Sequence, residues 1–181
     1  MFGLFKKKES GSAIRDLVWM SESAKKQGAL ALIKEARNPV VAAWFKESIY
    51  DWQRFFEAEG ISIEVQDAAY LQSLDVKDRA VFLLEHYPLA SKESKLMQSW
   101  KPAQLTAFIS LEDPLLQLFG GDRIISLMQK MGASESEVIE HTMISRSIRN
   151  AQEKLDKKTT VDHPADSQQQ WFAFNSAKYP K

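Results

Sequence analysis

Two short, unbroken apolar runs, Val40 to Phe45 and Ala80 to Leu84, stand between segments whose apolar residues recur at helical spacing. A strand that is apolar at every position is buried on both faces, the condition of strands in a parallel sheet covered by helices. Leu105 to Ser110 reads as a further strand, and Ile61, Ile63 and Val65 alternate as another. Between them the helical segments are legible. Ala24, Ala29, Leu30, Ile33 and Ala36 predict a helix over 21–37 capped by Ser21 or Ser23, and Ile49, Trp52, Phe55 and Phe56 predict one over 47–59 closed by Gly60. Ser91 to Trp100 reads as a helix stopped by Pro102. This rhythm predicts an α/β fold with an open parallel sheet of about four strands flanked by helices.

Beyond the last strand the chain changes character. Pro114 to Met131 is helical with an expected break at Gly120-Gly121, and Ile144, Ile148, Ala151 and Leu155 form one stripe of a helix from about His141 to Lys157. From Thr159 onward the chain is polar, without periodicity until Trp171, Phe172 and Phe174. The expected organisation is a flexible basic-apolar N-terminus over 1–15, an α/β domain over 16–113, a helical extension over 114–158 and a polar tail with an aromatic end over 159–181.

Composition excludes several functions. Lysine and arginine balance aspartate and glutamate at 24 each, so there is no whole-chain electrostatic case for a nucleic-acid binder. There is no cysteine, which removes disulfides, thiolate metal sites and cysteine nucleophiles, and three scattered histidines make a poor metal centre. No apolar run reaches the roughly 18 residues of a membrane span. Phe2, Leu4 and Phe5 beside Lys6, Lys7 and Lys8 could touch an anionic membrane surface weakly, but bury too little to anchor the chain alone. The chain is expected to be cytoplasmic.

Several stretches carry a family resemblance. Asp16-Leu17-Val18-Trp19 followed by Ser21-Glu22-Ser23-Ala24-Lys25 is similar to a D-L-(V/I)-Y-x-(T/S)-E-x-A-K segment, Pro39-Val40-Val41 into Lys46-Glu47-Ser48 to P-V-L-V-G-T-x-S-I-E, and Glu59-Gly60-Ile61 with Val65 to G-I-P-H-x-V. Ile109 to Asp113, Phe119 to Ile124, Met128 to Gly132, Ile139-Glu140-His141 and Ala151-Gln152 follow in order. These segments resemble the second nucleotide-binding domain of SecA, the preprotein translocase motor, from about Asp16 to Lys157, weakly between Asp67 and Gln104. The resemblance implies a small RecA-like sheet and a link to protein export. It also implies losses: the first motor domain with its phosphate-binding motifs is missing, the T-N-M-A-G-R-G-T-D segment is deleted, and Leu96 to Pro102 holds no arginine where the family has its arginine motif. The expectation is a chain that is not an enzyme and needs no cofactor.

Ligands of open α/β sheets bind beyond the carboxyl ends of the strands. Those ends carry Lys46, Asp67, Glu85, His86, Glu112 and Asp113. Convergence of Glu85, His86 and Glu112 would be needed for a hydrolase, and a lysine such as Lys46, Lys92 or Lys101 reaching into the crevice would be needed for a nucleotide half-site completing the ATP site of another motor domain. His86 reads as a hydrogen-bonded turn residue, and His141 with Glu140 as a helix start. Trp52 reads as core, while Trp100 and the aromatic tail are candidate contacts. The leading expectation is a non-catalytic adaptor that holds a protein partner, from the export machinery, through Ile144, Ile148 and Leu155 or through Trp171, Phe172 and Phe174.

Overall fold

The computed structural model describes residues 14–130 and 132–176. The N-terminal residues Phe2 to Lys8, read above as a weak membrane contact, lie outside them. Five parallel strands, β1 (Arg15–Trp19), β2 (Val40–Ala43), β3 (Val65–Asp67), β4 (Ala80–Leu83) and β5 (Gln104–Ser110), form one sheet in the order β1-β5-β4-β2-β3. The helices are α1 (Glu22–Glu35), α2 (Lys46–Ala58), α3 (Ser73–Val76), α4 (Ala90–Met97), α5 (Pro114–Gln117), α6 (Gly121–Lys130), α7 (Thr142–Asp156) and α8 (Gln168–Asn175). The architecture is the open parallel α/β sheet that the apolar runs predict, with one strand more, and is consistent with the small RecA-like sheet that the resemblance implies. None of the described helices is long and apolar enough to cross a membrane.

The added strand is β1, an edge strand beside β5 with Arg15 opposite Thr106 and Trp19 opposite Ser110. On its other side Val18 exchanges both backbone hydrogen bonds with Ile139. At the opposite edge β3 is shorter than the alternation of Ile61, Ile63 and Val65 predicts. Pairing starts with Val41 opposite Val65, and β2 begins at Val40, so no strand lies opposite residues 61–63.

Alternate residues of the sheet feed two cores, as the pleat requires. On one face Leu17, Trp19, Val41, Phe82 and Phe108 meet Leu30 and Ile33 of α1 and Trp52 and Phe56 of α2. The indole of Trp19 lies against Gly28, where an added Cβ would come within 2.5 Å of the ring. On the other face Val18, Val40, Val81, Leu105 and Ile109 meet Ile148, Ala151 and Leu155 of α7 and Trp171 and Phe172 of α8.

This second core corrects the expected partner surface. Ile148 and Leu155 are buried and Ile144 packs partly buried against the same core, because a sheet without helices on this face would leave its apolar side in water. The polar tail folds back as well. Ser167 caps α8 by accepting from the Gln170 backbone at 3.3 Å, and the Trp171 indole donates to Asp162 at 2.7 Å. Trp171 and Phe172 are fully buried, leaving Phe174 as the exposed member of the trio. Trp100 is also buried, so it too is no surface contact, and Trp52 is core as expected.

The strand-end crevice

Connections from β2 and β4, which are neighbours, leave in opposite directions, to β3 at one edge and β5 on the other side. Such a switch point opens a crevice at the carboxyl ends of the two strands. Here it is occupied from within. Glu85, two residues beyond the end of β4, accepts hydrogen bonds from the backbone of Trp44 at 3.0 Å and Phe45 at 3.2 Å and from the Ser48 hydroxyl at 2.8 Å. These donors surround the N-terminus of α2, where free N–H groups and the helix dipole favour an anion. Burial raises the Glu85 carboxyl to about 7, against the opposing pull of the Ser48 hydroxyl and the Lys25 charge.

Beside Glu85 is a cavity of about 360 Å³ lined by Glu22, Lys25, Glu47, Ser48, Asp51, Glu112 and Asp113 among others. Among the described residues Lys25 is the one cation on its wall, and it is buried. Its ammonium sits 2.7 Å from Glu22 and 3.0 Å from Asp113. Burial alone lowers the pKa of this lysine, but the two carboxylates outweigh it and hold the ammonium above its ordinary range. Asp113 also accepts from the Ser110 backbone at 3.1 Å, and Glu112 from the backbone of Glu22 at 2.7 Å. The crevice is therefore acidic, its one ammonium is neutralised, and its helix N-terminus already holds a carboxylate.

Of the residues expected at the strand ends, Glu85, Glu112 and Asp113 come together. Lys46 does not join them: its exposed side chain pairs with Asp166 at 3.2 Å. Asp67 accepts from the Ala69 backbone at 2.9 Å and caps the turn after β3. Lys92 binds Asp162 at 2.9 Å, away from the crevice, and Lys101 is exposed. Lys25 was missed, although it stands four residues before Ala29 and eight before Ile33, on the buried stripe of α1.

His86 points the other way. Its Nε2 lies 3.0 Å from Asp16 and its Nδ1 3.0 Å from Glu93, all three side chains buried. Burial alone would lower the imidazole pKa, yet the Glu93 charge and the bonds to both carboxylates raise it to about 10, so the ring is an imidazolium at neutral pH. Glu93 further accepts from the Tyr87 backbone at 2.6 Å and from Gln152 of α7 at 3.0 Å. His86 is thus a hydrogen-bonded residue as expected, but it ties β1, α4 and α7 together, and the convergence of Glu85, His86 and Glu112 does not occur. His141 caps α7 by accepting from the Met143 backbone at 3.1 Å, while Glu140 pairs with Arg15 at 2.6 Å.

No protein-family model matches the chain. Parts of it are similar to curated proteins named protein translocase subunit SecA. The match to that of Psychrobacter sp. (strain PRwf-1) is 51% identical over 57 residues, 32% of this chain and 6% of the relative. The SecA 1 of Alkaliphilus metalliredigens is 53% identical over 55 residues, 30% of this chain and 6% of the relative. The SecA of Chlorobium phaeovibrioides is 49% identical over 57 residues, again 32% and 6%. The similarity thus covers about a third of this chain and a small fraction of the length of these relatives.

Proposed function

We propose that this SecA-related chain is a non-catalytic counterpart of the second nucleotide-binding domain of SecA, acting in the cytoplasm as an interaction module linked to protein export. The observation that carries this reading is the closed switch point: Glu85 holds the N-terminus of α2, and Lys25 is held between Glu22 and Asp113. A polyphosphate entering there would meet carboxylates where it needs free donors and cations. The partner surface moves with the corrections above. With Ile148, Leu155, Trp171 and Phe172 buried, the exposed apolar side chains of Ile124 and Leu127, one turn apart on α6, and of Phe119 just before it, offer a contact for a protein.

Calorimetric titration of the full chain with Mg-ATP and Mg-ADP, followed by sedimentation with purified SecA, tests the proposal. The expected result is no heat at millimolar nucleotide and a complex with SecA that the Leu127→Asp variant weakens. Micromolar nucleotide binding would replace the adaptor with a half-site completing the ATP site of another motor domain. Absence of both nucleotide binding and a complex would remove the export role.

A further inference from the structure

On the opposite side of the sheet from the acidic crevice, a cavity of about 670 Å³ opens between the connection after β3 and helix α4. Its size is that of small-molecule sites, which run from about 300 to 1,000 Å³. It too lies at the carboxyl end of β2, through Trp44, and so beside the switch point where sheets of this class take ligands. Trp44, Leu71 and Leu96 give it apolar walls, and Ser73, Lys92 and Lys95 give it polar ones.

Two features set its chemistry. Lys92 is already engaged by Asp162 and by the Tyr87 hydroxyl, each at 2.9 Å, whereas Lys95 has no ion-pair partner among the described residues. The indole N–H of Trp44 is buried and, among the described residues, has no hydrogen-bond acceptor. In contrast to the acidic crevice, this cavity carries positive charge beside apolar walls. A single free ammonium and the lack of a glycine-rich cradle suit one carboxylate rather than a polyphosphate.

We propose that this cavity is a binding site for a small organic carboxylate with an apolar, aromatic body, the carboxylate held by Lys95 and the body seated against Trp44, Leu71 and Leu96. The site is independent of the adaptor reading, and either could stand without the other.

The test uses the full chain labelled with nitrogen-15 in its tryptophan indoles, titrated with 2-naphthoate and with the neutral 2-naphthamide. The Trp44 indole signal is assigned as the one lost in Trp44→Phe. Naphthoate should move that signal saturably with a Kd below about 1 mM, and the amide, lacking the charge, should bind about tenfold more weakly. The exposed Lys95→Ala change should weaken naphthoate to the same degree, with the indole spectrum of the free protein unchanged, while Lys101→Ala should leave the affinity as it was. No shift of the Trp44 signal at several millimolar naphthoate, equal binding of acid and amide, or no effect of Lys95→Ala would each overturn the proposal.

Discussion

Taking the proton from His86 should loosen the whole second face of the sheet. The imidazole pKa is raised to about 10 in the folded chain, from an ordinary 6.5, because Asp16 and Glu93 face its two nitrogens. A folded pKa above the unfolded one means that the folded state binds the proton more tightly. The stabilisation is complete below the unfolded pKa and is lost as the pH climbs through the folded one. Across the 3.5 units between 6.5 and 10 the loss approaches about 1.4 kcal/mol per pH unit, an upper limit of about 5 kcal/mol. That is comparable with the whole stability of a marginal domain, about 5–15 kcal/mol. Urea unfolding followed by circular dichroism at several pH values from about 6 to 10 should show the midpoint falling steadily. In His86→Gln the starting stability should be lower by about 3–5 kcal/mol, because two buried carboxylates lose their cation, and this pH dependence should be absent. Nitrogen-15 shifts of the histidine rings report the charge directly in the unaltered protein. A flat profile in the wild type, or a neutral His86 ring at pH 7, would refute the reasoning.

Glu85→Gln should stabilise where His86→Gln destabilises. The Glu85 carboxyl is raised to about 7 from 4.5, so its contribution is present below 4.5 and lost as the pH rises through 7. Above that pH the variant, whose amide oxygen can still accept from Trp44 and Phe45, should be more stable than the wild type by up to about 3 kcal/mol in denaturant titrations, with the gain gone in acid. Trp171→Ala should cost about 3–5 kcal/mol in the same assay, since it empties a fully buried ring site and strips Asp162 of a donor. Gly28→Ala should destabilise despite better helix propensity: the added methyl meets the Trp19 ring at 2.5 Å, and overpacking of about 1–3 kcal/mol outweighs a propensity gain of about 1 kcal/mol. A thermal midpoint at or above that of the wild type would count against the close approach of α1 to β1.

The sheet was readable because strands buried on both faces leave apolar runs, and the helix ends because Ser21 and Gly60 are chemically suited to their places, Gly60 with φ +70°. What escaped reading had short or distant determinants. β1 offers four buried residues, and Asp16 among them breaks the apolar pattern. α8 spans only about two turns, too few for a periodicity to show. In the candidate site the strand-end rule found Glu85, Glu112 and Asp113, which lie within three residues of the ends of their strands. It grouped His86 with them, although neighbouring residues leaving a strand point to opposite faces: Glu85 turns to α2, and His86 to Asp16, Glu93 and the α7 side. Asp16 lies 70 residues back along the chain, too far to be inferred from spacing, and Glu93, seven residues on, reaches the ring from α4.

The edge position of β1 sets a folding order. Both of its neighbours, Thr106 across the ladder to Arg15 and Ile139 across the bridge to Val18, are distant in sequence, so capturing β1 requires most of the intervening chain to be in place. The units built around β2, β3, β4 and β5 can assemble from nearer contacts first. We expect β1 to join late and, on the return path, to leave early, taking Asp16 from His86. Hydrogen exchange of the Val18 amide would register such partial opening at free energies below that of global unfolding.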